Sequence, residues 1–168
     1  MVLTDLHWVD GPWAGRLALA ARPRGGEWLS DEMAQWRMEG VDTVVSLLEA
    51  DEESELGLSG EGSEARASGM TFKSIPIADR QVPASKSDFA QAIEDLDGEL
   101  SAGRNLVIHC RQGIGRTGLI SGCLFVLKGL EPETAIQRLS EARGIPVPET
   151  EEQRRWISRY AEMFSSSR

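Results

Sequence analysis

The chain has 168 residues, 40% of them hydrophobic and 27% charged, with a formal net charge of −9. That length and balance fit one globular domain with a full-sized core, not a disordered or fibrous chain. The acidic balance argues against nucleic acid or an anionic membrane as a bulk partner, and the absence of any apolar run of about 18 residues argues against a membrane span.

In chain order, residues 1–8 show neither the basic start nor the apolar segment of a secretory signal. Residues 16–20 read as an early strand. Ser30 is expected to cap a short helix that carries Met33 and Trp36 and ends near Gly40. Residues 43–48 are rich in β-branched side chains and predict a buried strand. Residues 51–68 are acidic, contain Gly and Ser, and are weakly periodic, which predicts loop and short helix. Residues 71–75 read as a strand that runs into a loop bracketed by Pro76 and Pro83. Phe89, Ile93, Leu96 and Leu100 recur at helical spacing between Ser85 and Gly103, with Asp88, Glu94, Asp95 and Asp97 expected on the solvated face. A strand over 105–108 and a long apolar stretch over 119–130 come next. Pro132 at a first turn and Gly144 after Arg143 bracket another helix. Thr150 and Gln153 have the spacing of a capping box before the apolar positions Trp156, Ile157, Tyr160 and Phe164. Strands alternating with helices predict an α/β fold of one domain over residues 1–168. The five tryptophans are scattered and suit core or surface anchoring, and His7 suits a structural role.

The segment His109-Cys110-Arg111-Gln112-Gly113-Ile114-Gly115-Arg116-Thr117-Gly118 lies between the strand at 105–108 and the apolar helix. Successive N–H groups in such a strand–loop–helix turn converge on one point, where the helix N-terminus adds positive charge, so the turn suits a tetrahedral dianion. Cys110 among those donors and near Arg116 is expected to favour its thiolate, a strong nucleophile. Arg116 can grip two phosphate oxygens with its planar fork. Gly113, Gly115 and Gly118 remove side chains where backbone turns or approaches a ligand. Thr117 brings a hydroxyl beside the sulfur, and His109 can orient the loop. A buried structural cysteine in an ordinary turn is the bland alternative.

The Cys-x5-Arg-Thr pattern preceded by His resembles the cysteine-based protein tyrosine phosphatase superfamily, in its small dual-specificity branch. A rhodanese-like cysteine loop fits Arg116-Thr117 at the helix start less well. The resemblance covers nearly the whole chain. It implies a central, mostly parallel sheet flanked by helices, with the phosphate-binding loop between a strand and a helix. It also implies Cys110 as the nucleophile that forms a phosphocysteine intermediate and Arg116 as the phosphate clamp. Arg111, Gln112, Gly113, Ile114 and Gly115 would line the bound phosphate.

Ester cleavage also needs a proton for the leaving oxygen. Asp79 is the best candidate: it sits 31 residues before Cys110 in Pro-x-x-Asp, as in related acid loops, although a turn or cap role is the alternative. Ala78 and Gln81 flank it where relatives often have Pro and Gly. The acidic net charge does not preclude a local positive pocket around Arg80, Arg111 and Arg116, and Arg80 is expected among the substrate-binding residues. By the same resemblance Gln153 places the hydrolytic water, with Glu149 and Thr150 shaping its loop; the capping role is compatible.

No metal-ligand spacing appears and no cofactor is implied. Two cysteines make no disulfide framework, and a catalytic thiolate needs a reducing compartment, so the expected location is cytoplasmic. Cys123 lies about 10 Å beyond Arg116 along a helix, which makes it core filler and not a resolving thiol. The expected function is dephosphorylation of phosphotyrosine, and of phosphoserine or phosphothreonine, in a protein or peptide by a monomer. A phosphatase for an inositol phosphate, nucleotide or RNA 5′ end, and a phospho-reader without turnover, are the alternatives. The loop positions Arg111, Gln112 and Ile114 lack the lysines typical of phosphoinositide-directed relatives.

Overall fold

The computed structural model describes residues 4–166, with side chains through Met163. Among these, five short strands form: β1 (His7–Val9), β2 (Leu17–Ala20), β3 (Thr43–Ser46), β4 (Thr71–Ser74) and β5 (Leu106–His109). They make one sheet in the order β1-β2-β5-β3-β4. The pairs β2–β5, β5–β3 and β3–β4 are parallel, and β1 is antiparallel to β2. Between the strands run α1 (Leu29–Met38), α2 (Ala50–Glu55), α3 (Glu61–Ala67) and α4 (Lys86–Ser101), and after β5 come α5 (Gly115–Leu127), α6 (Pro132–Arg143) and α7 (Glu151–Ser166). The expected mixed α/β fold with a central sheet is the one observed.

Both faces of the sheet are covered, which is why β5 is buried at every position. Alternation along the strands sorts the side chains. Leu17, Leu19, Val45, Leu106 and Ile108 meet Phe89 of α4, Leu119 of α5, Ile136 of α6 and Ile157 of α7. Ala18, Ala20, Val44 and Val107 meet Met33 and Trp36 of α1 and Ala65 of α3. Helix α5 is apolar nearly all round because α4, α6 and α7 pack about it. Gly122 lets α7 approach: a Cβ there would sit 2.6 Å from Ile157 Cδ1.

Several ends follow the expected chemistry. The Ser85 hydroxyl accepts from the Asp88 N–H, Pro132 opens α6, and Gly144 closes it at φ 85°. Thr150 and Gln153 form the reciprocal capping box of α7 at 3.1 Å each way. Trp156, Ile157 and Tyr160 are buried, while the side chain of Phe164 lies outside the described residues.

Two expectations, at Ser30 and at Asp97, are corrected. Ser30 lies inside α1 and caps nothing, because a 3-10 turn at Gly26–Trp28 delivers the chain already wound. Residues 51–68 are loop and short helix as expected, and Glu52 and Glu61 on the two short helices are buried. Asp97 accepts from Trp13 Nε1 at 2.8 Å and pairs with Lys128 at 3.1 Å, so it is no free solvated carboxylate. The three-residue strand β1, which carries His7, has too short a pattern to read.

The carboxyl ends of β3, β4 and β5 lie side by side, where ligand crevices form in open parallel sheets. From them leave, respectively, the segment to α2, the loop over 75–83, and the loop over 110–114.

Candidate active site

The loop after β5 is held from outside by its carbonyls. The Cys110 carbonyl lies 3.2 Å from His109 Nδ1. The Arg111 carbonyl accepts from the Arg22 N–H at 3.1 Å. Those of Gln112 and Gly113 accept from Arg143 Nη2 and Nε at 2.8 and 3.2 Å. That of Ile114 accepts from the Gly118 N–H at 3.0 Å. With every carbonyl from 110 to 114 taken, the N–H groups of residues 111–117 have no protein acceptor among the described residues. In a trans peptide the N–H points opposite the carbonyl, so these donors turn inward. The result is a nest of orphan donors at the N-terminus of a 13-residue helix, the arrangement that takes an anion. Gly113 makes the turn possible: its φ is 72°, and a Cβ would lie 2.4 Å from the Ala20 carbonyl oxygen.

Cys110 stands at the base of this nest, 3% exposed, and Thr117 Oγ1 donates to its sulfur at 3.1 Å. The pocket above has a volume of about 240 Å³ and is lined by Asp79, Arg80, Cys110, Arg111, Gln112, Gly115, Arg116 and Glu149. Gly113, Ile114, Thr117, His109 and Gln153 lie behind that lining. Ile114 packs against the core. Gln153 sits beneath Gly115, its Oε1 3.1 Å from where a Cβ would stand.

Arg116 is 1% exposed. Its Nη1 donates to Glu52 Oε1 at 2.7 Å and to the Ile77 carbonyl at 2.9 Å; its Nη2 donates to Glu52 Oε2 and to Asp79 Oδ1, each at 3.0 Å. Glu52 Oε2 also accepts from Arg111 Nε at 2.9 Å, and Oε1 accepts from the Glu49 N–H at 3.1 Å. Burial alone would raise the Glu52 carboxyl. The Arg116 hydrogen bonds, then the Glu49 N–H and Arg111, overcome this and hold it at about 2 against an ordinary 4.5.

Asp79 lies in the loop over 75–83, at a turn closed by Gln81 N–H to the Ala78 carbonyl, 3.0 Å. The next residue, Arg80, takes φ 61°, a left-handed conformation that costs a non-glycine residue energy and often marks functional loops. Two contacts dock this loop on the segment before α7: the Arg80–Glu149 ion pair, and Gln153 Nε2 donating to the Gln81 carbonyl at 3.2 Å.

The three arginines around the pocket are all paired. Arg80 pairs with Glu149, Arg111 with Glu52 and Glu55, and Arg116 with Glu52 and Asp79. Each of these arginines is thus held by at least one carboxylate, and the backbone N–H groups of residues 111–117 are donors left without a protein acceptor among the described residues. Cys123 is fully buried in α5 as expected, and its burial pushes the thiol well above its usual range. Sequence reasoning missed Glu52, Glu61 and Arg143. The last reaches the loop from the end of α6, where it read only as part of a helix terminus.

A family model described as Tc-R-P, polymorphic toxin system, DSP-PTPase phosphatase, matches residues 18–130, more than half of the chain, and the chain belongs to that family. The human cyclin-dependent kinase inhibitor 3 is 30% identical over 93 residues, 54% of this chain and 43% of the relative. The match thus spans less than half the length of that curated relative. Among solved structures, kinase associated phosphatase with its catalytic cysteine replaced by serine superposes with a TM-score of 0.90 at 20% identity, covering 99% of this chain and 98% of the other. Tk-PTP in its active form superposes at 0.75 with 23% identity, covering 94% and 96%. No described helix is long and apolar enough to cross a membrane.

Proposed function

We propose that this member of the DSP-PTPase family is a cysteine-dependent phosphomonoesterase that acts on phosphotyrosine, and on phosphoserine or phosphothreonine, in proteins. The observation that carries the proposal is the inward-facing set of orphan N–H groups around the sulfur of Cys110. In this reading the phosphoryl oxygens accept from those groups, and the substrate dianion displaces the Asp79 carboxylate from Arg116 Nη2. Arg116 stays fixed by Glu52 and presents its fork to the equatorial oxygens. The Cys110 thiolate attacks phosphorus; the S–P bond forms as the P–O bond breaks, and Asp79, which takes up a solvent proton once freed from Arg116, gives that proton to the leaving oxygen. Water then attacks phosphorus with Asp79 taking back a proton, the P–S bond breaks, and the Thr117 hydroxyl bonds the departing sulfur. Gln153 spends its carbonyl oxygen on the Glu149 and Thr150 N–H groups and one amide hydrogen on Gln81. One amide hydrogen remains to place the water.

The whole chain acts as one domain and as a monomer in a reducing, cytoplasmic setting. Substrate class is tested with a panel of phosphopeptides, inositol phosphates and nucleotides. Turnover confined to a non-protein ester overturns the protein-substrate reading. Cys110→Ser is expected to abolish turnover while retaining vanadate binding; more than a few per cent residual activity refutes the covalent mechanism. The family description favours a second reading of the role, that this phosphatase serves a polymorphic toxin system. Its test is growth arrest on induced expression, relieved by Cys110→Ser.

A further inference from the structure

His109 ends β5 with its ring on the sheet face opposite α5, fully buried and 6.0 Å from the Trp36 ring. Its Nε2 meets Glu61 Oε2 at 2.6 Å, and Glu61, the first residue of α3, is 1% exposed. Its Nδ1 meets the Cys110 carbonyl at 3.2 Å. A carboxylate and an imidazole taken so far from water each need the other as a hydrogen-bonding partner, and a buried pair of this kind is weak evidence of a role in stability alone. Burial would lower the His109 pKa. The charge and hydrogen bond of Glu61, the Cys110 carbonyl and the charge of Glu53 on α2 outweigh it and raise the value above 6.5. With both ring nitrogens protonated, Nε2–H donates to Glu61 and Nδ1–H to the Cys110 carbonyl.

The other loop carbonyls are held by backbone N–H groups or by Arg143, which do not titrate near neutral pH. The Cys110 carbonyl is held by a histidine. Fixing that carbonyl fixes the Cys110–Arg111 peptide plane, and with it the direction of the Arg111 N–H, the donor nearest the sulfur in sequence. We infer that Glu61 is a positioning residue: by holding His109 against the Cys110 carbonyl, it locks the Cys110–Arg111 peptide with its N–H turned toward the bound phosphoryl group. The inference rests on the proposed phosphatase reading of this loop.

The test compares Glu61→Gln, Glu61→Leu and His109→Asn with the wild type. Gln can donate to Nε2 of a neutral ring that keeps Nδ1–H, so it preserves geometry and removes charge. Leu removes both. Asn places an amide N–H where Nδ1–H stands and makes Glu61 unnecessary. Glu61→Leu is expected to lower kcat/KM about a hundredfold, the low end of the loss for one oxyanion donor, and Glu61→Gln about tenfold. The vanadate dissociation constant should rise in step with the lost kcat/KM. The kcat/KM profile of Glu61→Gln should gain a titration between about pH 5 and 8, as His109 loses its counter-charge. In the His109→Asn background, Glu61→Leu should change vanadate affinity less than threefold. With only two histidines in the chain, 15N spectra assign the ring directly: doubly protonated in the wild type at pH 7, singly in Glu61→Gln. Unchanged vanadate affinity and an unchanged pH profile in folded Glu61→Gln overturn the inference, as does an undiminished Glu61→Leu effect in the His109→Asn background. If Glu61→Leu does not fold, the Gln variant and the ring spectrum decide. A wild type that hydrolyses no phosphomonoester refutes the phosphatase reading itself; an active wild type with indifferent Glu61 variants refutes this inference alone.

Discussion

Glu52→Gln removes one negative charge from between two arginines while keeping the side chain's shape. Its carboxyl is only 9% exposed and is held at about 2 against an ordinary 4.5. That difference corresponds to roughly 3 kcal/mol of stability at neutral pH, similar to the usual cost of about 3–5 kcal/mol for breaking a buried pair from one side. The sign follows from a depressed carboxyl: the contribution is complete above 4.5 and is lost as pH falls toward 2. Urea unfolding of both proteins should therefore show Glu52→Gln less stable by about 3 kcal/mol at pH 7, shrinking to less than half of that by pH 3. Turnover at pH 7 should fall as well, since Arg116 loses the bidentate partner that aims its fork. A loss under about 1 kcal/mol at pH 7, or one that does not shrink on acidification, would refute the claim that Glu52 is the anchor of Arg116.

Asp79→Asn is expected to lower turnover of phosphotyrosine by roughly two to four decades, to spare an activated aryl phosphate, and to flatten the basic limb of the pH–rate profile. An equal loss on all substrates would make Asp79 structural. Arg116→Lys should retain the positive charge yet lose most kcat/KM, because an ammonium cannot bond Glu52 and a phosphoryl group together as a planar fork does; near-normal kcat/KM rejects the clamp role. Gly113→Ala should destabilise the fold by at least about 2 kcal/mol in thermal or urea unfolding, since it adds left-handed strain to a clash with the Ala20 carbonyl; a neutral result contradicts the loop conformation. Mild peroxide should inactivate reversibly through Cys110, and Cys123→Ala should leave that sensitivity unchanged.

The parts of the site legible in the sequence are those whose geometry is local. From His109 to Gly118, strand, turn glycine, cysteine and helix start follow within ten residues, and short-range backbone physics decides their arrangement. The loop over 75–83 is visible from its prolines and the strand before it, but nothing local says that Asp79 bonds Arg116, 37 positions away. Glu52 is hidden for another reason. It stands among Glu49, Asp51, Glu53 and Glu55, a run that reads as a solvated helix face, and only the rotation of the six-residue α2 selects Glu52 to turn inward. Glu61 is hidden likewise, since its partner lies 48 positions further along the chain, in β5. Arg143 marks the end of α6 in sequence; its reach to the Gln112 and Gly113 carbonyls comes from how α6 packs on α5.

The paired arginines also bear on selectivity. A pocket with unpaired guanidinium groups would attract any anion. Here Arg80, Arg111 and Arg116 each hold a carboxylate, so an entering anion must compete with Glu149, with Glu52 and Glu55, or with Asp79. Glu52 is held by two arginines and a backbone N–H and is the hardest to displace; Asp79, 53% exposed with one bond to Arg116, is the easiest. A phosphoryl dianion that also fills the orphan N–H groups makes that exchange favourable, whereas a carboxylate has fewer oxygens to offer them. The same exchange frees the proposed acid from its cation just as the ester oxygen arrives beside it. Asp79→Ala should thus strengthen binding of inorganic phosphate to the Cys110→Ser protein by removing the resident competitor. Weaker binding in that background, measured by calorimetry, would show that Asp79 holds the loop in place rather than occupying the phosphate's position.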